Sequence, residues 1–348
     1  MKFCRFLSIL TCSSLICLGV LAVPATAQTK EKKVPKGQKT RKGWAKTPSL
    51  FIRGKDLTKE MKKRLTHYEI SDKRFPWTMT LIRRNKTYEK WALTFPTAVK
   101  SGIKSNDTVH ATYYKPLRTK GKGPGCVVLH HLGGSFEAEE VMAAHFAQHG
   151  VAATTLTFPL YGKRKPKDMK RRLEVATPKD LLQFGRQAVA DVRRISDVLR
   201  SFEEVEAKKV GVLGVSLGAI IGSLSAGVDG RFQKVTLVLG GGGLKDIFFN
   251  GSKEVRGMRR YMDKQGIDRA KLGRLLDIME PLNYASRIKA KRVLMLNGSR
   301  DEIIPPDCTR ALHKALGKPQ IHWYKTGHYG AALHVFNIMR RSLKHMRS

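Results

Sequence analysis

The chain has 348 residues, of which 41% are hydrophobic, so it can bury a substantial core and is not a globally disordered protein. Its 66 Lys and Arg residues outnumber its 28 Asp and Glu residues, which gives a formal net charge of +38. This charge favours anionic surroundings such as nucleic acid, an anionic membrane or an acidic polymer, but it does not determine the fold.

The first predicted element is an apolar run over residues 6–23, which follows two basic residues at the N-terminus. Small residues at 25–27 match the site that signal peptidase cleaves, so residues 1–27 are predicted to be a signal peptide removed before Gln28. The alternative is a retained transmembrane anchor, because the run is close to the lower length limit for spanning a bilayer. Cleavage predicts a secreted or periplasmic protein with no transmembrane segment afterwards.

A basic segment over residues 28–48 comes next, rich in Lys and almost without aliphatic residues. Such a segment cannot bury enough apolar surface to order itself, so it is predicted to be a disordered linker before a domain at 49–348. It is either a solvated spacer or an electrostatic tether to an anionic polymer or surface.

Strands and helices alternate along the rest of the chain, which predicts an α/β fold with a doubly wound, mostly parallel sheet. The predicted strands are 88–95, 108–114, 126–129, 151–158, 209–213, 235–239, 292–296 and 320–324. The predicted helices are 136–150, 178–202, 217–226, 309–316 and 331–345. Residues 242–285 interrupt this alternation with charged, helical sequence and are predicted to form a lid insertion over one end of the sheet.

A serine motif, Gly214-Val215-Ser216-Leu217-Gly218, lies between a predicted strand and a predicted helix. In a sharp turn of this kind the serine is held exposed at the end of the sheet. The following helix offers N–H groups and a positive dipole end to a developing oxyanion. The pattern therefore indicates a candidate nucleophile, Ser216; the alternative is a glycine-rich packing turn.

Two further motifs follow later strands. Asp301, in Asn297–Pro305, can orient a histidine, and Glu302 is its local competitor; either carboxylate could instead cap the next helix. His328, bounded by Gly327 and Gly330, can reach over the sheet as a general base.

A glycine-containing loop, His130-His131-Leu132-Gly133-Gly134, follows the strand at 126–129 and is placed to supply an oxyanion N–H. The simpler alternative is an ordinary glycine turn.

The order Ser216, Asp301, His328 is that of the α/β-hydrolases, and residues 88–345 resemble secreted bacterial esterases of the dienelactone-hydrolase and acetyl-xylan-esterase-like branch. The resemblance implies Ser216 as nucleophile, His328 as base and Asp301 as the orienting acid. It implies oxyanion donation from the backbone N–H groups of Leu217 and Leu132. No metal or organic cofactor is required. His131 replaces the glycine usual in this loop.

The substrate is predicted to be a small-molecule or carbohydrate ester, with His131, Tyr161 and Tyr329 as binding residues. Basic residues after the strand at 151–158 and in 242–285 either form a positive funnel for an acidic ester or share the general surface charge. Aromatic and Met side chains of the insertion either line an acyl pocket or pack the lid; they are Phe248, Phe249, Met258, Tyr261 and Met262.

Functions other than ester hydrolysis are alternatives to this prediction. A peptidase of the prolyl-oligopeptidase type shares the catalytic layout, but too few residues precede the first strand for a propeller. A non-catalytic hydrolase-fold binding protein is the third alternative. No nucleic-acid recognition motif appears, so no specific nucleic-acid partner is expected. No Cys/His cluster has zinc spacing, and Cys126 and Cys308 are predicted to be free, buried thiols.

Overall fold

The computed structural model describes residues 32–33, 39–50, 57–71, 73–119, 121–133, 136–167, 178–250, 256, 259–260 and 263–348. The predicted signal peptide lies outside these residues. No helix among them is long and apolar enough to cross a membrane.

The described strands form one sheet in the order β1-β3-β4-β5-β7-β6-β8-β9-β10-β11, with β2 also paired to β3. Their bounds are β1 Lys32–Lys33, β2 Thr40–Lys46, β3 Arg74–Arg84, β4 Tyr88–Pro96, β5 Thr108–Pro116, β6 Gly123–Leu129, β7 Ala152–Leu156, β8 Val205–Val215, β9 Val235–Val238, β10 Val293–Gly298 and β11 Gln320–Tyr324.

Helices cover both faces of the sheet. The α-helices are α1 Lys59–His67, α2 Glu137–Gln148, α3 Pro178–Arg200, α4 Leu217–Val228, α5 Leu244–Asn250, α6 Arg269–Met279, α7 Pro306–Ala315 and α8 Val335–Arg347. The 3₁₀ helices are Gly162–Arg164, Pro281–Arg287, Ala290–Arg292 and Tyr329–His334.

The strands from β7 to β11 pair in parallel, which confirms the predicted doubly wound sheet. The last five residues of β6, Gly125–Leu129, are buried, as expected of a strand with helices on both faces. Side chains of β6 that alternate along the strand belong to two hydrophobic cores, one on each side of the sheet. Because the strands are parallel, the chain segments that follow β6, β8, β10 and β11 meet at one edge.

An edge strand corrects part of the linker prediction. Residues Thr40–Lys46 of the segment 28–48 form β2, which pairs antiparallel with β3. Ala45 is the buried side chain of this strand, and Arg41 lies over the ring of Trp91. The paucity of aliphatic residues was misleading because an edge strand is held by backbone hydrogen bonds and tolerates exposed charged side chains.

The insertion at 242–285 contributes the helices α5 and α6. Its described residues pack against α1, α3 and α4 in a third hydrophobic cluster, in which Phe248 is buried and Phe249 is partly buried. None of these described residues lines the cavity beside Ser216. Met258, Tyr261 and Met262 lie outside the described residues.

The two cysteines at Cys126 and Cys308 are free and buried, as predicted. Burial raises the pKa of the Cys126 thiol well above its usual value. For Cys308, burial and then nearby carboxylates raise the pKa to about 11. Neither thiol is therefore ionised at neutral pH.

Candidate active site

Ser216 stands at the point where β8 ends and α4 begins, with φ 54° and ψ −113°. Its backbone N–H donates to the carbonyl of Val238 over 2.8 Å, which fixes the turn against β9. The flanking glycines are required by space. A Cβ at Gly214 would lie 2.0 Å from the carbonyl oxygen of Gly218, and one at Gly218 would lie 2.3 Å from that of Leu129.

His328 and Asp301 meet Ser216 at this edge of the sheet. His328 Nε2 lies 2.9 Å from Ser216 Oγ, and His328 Nδ1 lies 2.8 Å from Asp301 Oδ2. All three residues are buried, with exposed fractions between 4% and 8%. Asp301 also accepts hydrogen bonds from the backbone N–H groups of Ile303 and Ile304, so its carboxylate is held in place.

Glu302, the local competitor for the role of Asp301, has a different contact. Its Oε2 accepts a hydrogen bond from the backbone N–H of His328 over 3.0 Å, and it does not reach the imidazole ring. The two adjacent carboxylates therefore hold His328 at two points, Asp301 through the ring and Glu302 through the main chain.

His130 fixes the loop that follows β6. Its Nε2 accepts the backbone N–H of Phe158 over 3.0 Å, so its Nδ1 carries the proton and donates to the carbonyl of His131 over 2.7 Å. Burial lowers the pKa of His130 to about 4, which keeps the ring neutral in this role. No local sequence pattern predicts this contact, because it joins residues 28 positions apart.

His131 forms a second histidine–carboxylate pair beside the first. Its Nδ1 lies 2.8 Å from Oε1 of Glu139, a residue of α2 that is 1% exposed. Burial alone would lower the pKa of His131, but the hydrogen bond and the charge of Glu139 outweigh it and raise the pKa above the ordinary value. Glu139 was missed from the sequence, where it is one of three acidic residues in the first turn of α2.

An apolar cavity of about 130 Å³ opens beside Ser216 and His328. Its lining also includes His131, Leu132, Glu139 and Tyr329. The rest of the wall consists of Met142 and aliphatic side chains, which are Ala138, Val215, Val238, Leu239, Ile303, Ala331, Ala332, Val335 and Ile338.

The other predicted site residues lie as follows. Leu217 is the first residue of α4, where backbone N–H groups lack partners within the helix. Tyr329 packs edge-on against His328, with ring centroids 5.8 Å apart. Tyr161 does not line the cavity: it is 5% exposed and packs against His130. Tyr161 is therefore buried behind the loop. The prediction that it contacts the substrate required it to face the cavity, and it does not.

One of the basic residues predicted to frame the site is buried. Arg164 is fully buried and pairs with Asp191 over 2.9 Å, so it anchors its loop to α3 and contributes nothing to a positive funnel. Lys163 and Lys165, on either side of Arg164, are not buried. Residues 168–177 lie outside the described part of the chain.

The sequence profile of the dienelactone hydrolase family matches residues 109–346, which is more than half of the chain. The chain belongs to the dienelactone hydrolase family. A search of curated proteins finds no match. The family places this chain among esterase-type hydrolases.

Solved structures of the same fold include two acetyl xylan esterases. The enzyme from Paenibacillus sp. R4 is 20% identical, with a TM-score of 0.66, and the match covers 86% of this chain and 96% of that one. Acetyl xylan esterase 1 from Thermoanaerobacterium sp. JW/SL YS485 is 18% identical, with a TM-score of 0.63 and the same coverage. The acylaminoacyl peptidase of Pyrococcus horikoshii is 17% identical, with a TM-score of 0.56, over 79% of this chain and 46% of that one. These matches establish the α/β-hydrolase fold for this member of the dienelactone hydrolase family.

Proposed function

We propose that the protein is a serine hydrolase that cleaves carboxylic esters through Ser216, His328 and Asp301. The observation that carries this proposal is the chain of contacts from Asp301 through His328 to Ser216 Oγ, in which each donor–acceptor distance is 2.8–2.9 Å. A hydroxyl, an imidazole and a buried carboxylate in this order form the arrangement that activates a serine nucleophile.

In the proposed reaction, His328 Nε2 takes the proton of Ser216 as Oγ attacks the ester carbonyl carbon. Asp301 holds the Nδ1–H tautomer and stabilises the imidazolium that forms. The proton then passes to the alcohol as the C–O bond breaks and an acyl-enzyme remains. Water attacks the acyl carbon with His328 again as base, which releases the acid and restores Ser216.

The oxyanion of the tetrahedral intermediate would be bound by the backbone N–H groups of Leu217 and Leu132. Leu217 begins α4, so the positive end of the helix dipole adds to its N–H. Leu132 belongs to the loop that His130 holds against Phe158, which follows β7. Each such donor is worth about 3–4 kcal/mol in comparable sites. No step calls on a metal or organic cofactor.

A carboxylic ester is the proposed substrate class because the cavity beside Ser216 is apolar and can hold a hydrocarbon group. The acetyl xylan esterase structures add acylated carbohydrate as one ester type to test. We also propose export through cleavage of residues 1–27, on the apolar run and the small residues that follow it.

Labelling with a fluorophosphonate tests the nucleophile directly. We expect wild-type protein to be labelled, and Ser216→Ala and His328→Ala to lose labelling and ester hydrolysis. Labelling that persists in Ser216→Ala would refute the assignment, and absence of labelling in folded wild type would refute catalysis by this serine. A panel of aryl esters, acetylated sugars and acyl-peptides then separates an esterase from a peptidase.

A further inference from the structure

The second histidine–carboxylate pair lies in the same cavity as two of the proposed catalytic residues. His131, Glu139, Ser216 and His328 all line this cavity, whose volume is about 130 Å³. Apart from these residues and Tyr329, the side chains of the lining are aliphatic or Met. A group of the substrate that enters the cavity beside Ser216 therefore meets His131 as one of few polar partners.

Glu139 holds both the loop and the ring of His131. Its Oε1 accepts a hydrogen bond from the His131 backbone N–H over 3.2 Å and lies 2.8 Å from His131 Nδ1. Its Oε2 has no hydrogen-bond partner among the described residues, although the side chain is only 1% exposed. A buried carboxylate of this kind needs a compensating cation, and His131 is in contact to supply it. The pair therefore orients the ring with Nδ1 toward Glu139.

The Nε2 atom is the end of the His131 ring that is open to a ligand. It has no hydrogen-bond partner in the part of the chain that the structure describes, and the side chain is 20% exposed. A Cβ at Gly133 would lie 3.4 Å from Nε2, so the glycine leaves space beside this atom. Because Nδ1 is engaged by Glu139, protonated His131 presents an Nε2–H donor.

This donor makes the cavity unsuited to a purely hydrocarbon group. A hydrocarbon that fills the cavity would displace water from the Nε2–H and leave it without a partner. An unpaired buried donor is costly, so a site of this kind rejects a ligand that lacks the matching acceptor. The acceptor should be uncharged, since Glu139 already neutralises His131 and its carboxylate would repel a second anion in an apolar cavity.

We propose that His131 is a specificity-determining residue, and that the cavity takes esters with an uncharged oxygen, as in an ether or a hydroxyl, on the group that enters it. The aliphatic wall contacts the carbon atoms of this group, and its oxygen accepts from His131 Nε2. The group is either the acyl chain or the alcohol of the ester, because both can present the same acceptor. The inference rests on the proposed function for the ester bond, but binding of the oxygen does not require Ser216 to react.

Two pairs of isosteric esters test the proposal and distinguish the acyl side from the alcohol side. The acyl pair is nitrophenyl methoxyacetate and nitrophenyl butyrate, and the alcohol pair is methoxyethyl acetate and butyl acetate. In each pair an ether oxygen replaces one methylene group. The quantity measured is the ratio of kcat/KM for the oxygen ester to that for the hydrocarbon ester. Comparing this ratio between variants removes the difference in intrinsic reactivity.

The double variant His131→Leu, Glu139→Gln removes the donor. In at least one pair of esters we expect the ratio to fall at least about tenfold, the effect of losing one hydrogen bond to a charged donor. Glutamine at 139 keeps an acceptor for the loop N–H, and no buried carboxylate is left unpaired.

The pH dependence of the ratio separates recognition from a purely structural role. Glu139 raises the pKa of His131, so the Nε2–H is present below the folded pKa and is lost as pH rises through it. The wild-type ratio should therefore fall with rising pH, and Glu139→Gln alone should move this fall to lower pH. His328 and Tyr329 also line the cavity, and His130 adjoins His131 in the loop. Their titration acts on both esters of a pair and cancels in the ratio.

Two single variants are matched controls. His149→Leu removes an exposed histidine at the end of α2 that does not line the cavity. Tyr329→Phe removes the hydroxyl of another residue that does line it. Both variants should keep the wild-type ratio in both pairs of esters.

The proposal is overturned if the double variant keeps the wild-type ratio in both pairs, if the ratio does not change with pH, or if Tyr329→Phe abolishes the preference. A stronger preference for nitrophenyl hemisuccinate would show recognition of a charge and overturn the uncharged oxygen. If the double variant does not fold, the shift of the pH profile in Glu139→Gln remains as the test.

Binding to Ser216→Ala keeps this inference separate from the proposed chemistry. Calorimetry with the uncleaved esters should show the same preference for oxygen, and addition of His131→Leu and Glu139→Gln should remove it. A protein that hydrolyses neither ester of a pair but shows this preference in binding would refute the proposed function and support the role of His131. Hydrolysis of both esters with no preference would refute the role of His131 alone.

Discussion

Two neighbouring carboxylates hold His328 in different ways, and their substitution should have different effects. Asp301→Asn presents an amide donor to Nδ1 and favours the tautomer that has lost the acceptor at Nε2. We expect kcat to fall on the order of 10⁴-fold, with the fold intact. Glu302→Gln keeps an oxygen acceptor for the His328 N–H, so kcat should fall less than about tenfold.

Steady-state kinetics on a soluble ester, with circular dichroism to check folding, measure both variants. Equal losses in the two would contradict the separate contacts of Asp301 and Glu302.

The pair of His131 and Glu139 predicts a pH dependence of stability. Glu139 raises the pKa of His131 in the folded protein above the unfolded value of about 6.5. At pH values between these two pKa values, folding is therefore accompanied by proton uptake at His131. The contribution of the pair to the free energy of unfolding is therefore complete below about pH 6.5 and falls as pH rises through the folded pKa.

Urea unfolding across this pH range tests the pair by comparing wild type with Glu139→Gln. Near pH 6 the variant should be less stable by about 1–3 kcal/mol, because the buried partner of an imidazolium is lost. The difference should shrink at higher pH. A difference that is constant with pH would show that His131 does not titrate in this way.

At the scale of secondary-structure elements, the contact of α4 with β6 decides whether the serine turn forms. A Cβ at Gly218 would meet the Leu129 carbonyl at 2.3 Å, and backbone on both sides cannot move aside. Gly218→Ala should lower the free energy of unfolding by about 1–3 kcal/mol and reduce activity more than about tenfold, since it displaces Ser216.

Gly222, one turn further along α4, provides the control. A Cβ there would lie 3.5 Å from the Leu129 side chain, which is an ordinary contact. Gly222→Ala should leave activity unchanged and raise stability by up to about 1 kcal/mol, because alanine favours a helix interior. Thermal unfolding and ester hydrolysis measure both, and equal effects at 218 and 222 would contradict this packing.

Local sequence patterns predicted the strands and helices that carry the site. They failed for features whose structure depends on contacts between residues far apart in the sequence. The parallel strands and the serine turn were visible because buried runs and glycine spacing are properties of short segments. β2 was missed because its stability comes from pairing with β3. The packing of the insertion against α1, α3 and α4 was not visible either, because a charged helical pattern does not encode its packing partners.

The site shows the same division. The sequence identified Asp301 as a candidate but could not separate it from Glu302. The two residues are adjacent, and only the folded backbone determines which carboxylate reaches the His328 ring. His130 and Glu139 act through contacts 28 and 8 residues away, which no motif within the loop reveals.

At the scale of the whole molecule, the proposed export makes a simple prediction about the mature chain. Protein recovered from outside the cytoplasm should begin at Gln28, because the small residues at 25–27 precede that position. N-terminal sequencing or intact mass measurement determines this. A mature chain that retains Met1 and partitions with membranes would favour the anchor instead.

The two buried cysteines have a practical consequence for labelling. A chain that begins at Gln28 contains only Cys126 and Cys308, and both hold their protons at neutral pH. Such thiols react slowly with maleimides and similar reagents, because the thiolate is the reactive form. Leu333→Cys would therefore introduce the one readily modified position. A solvent-sensitive fluorophore attached there would report, through its emission colour, how far that exposed position is shielded from water.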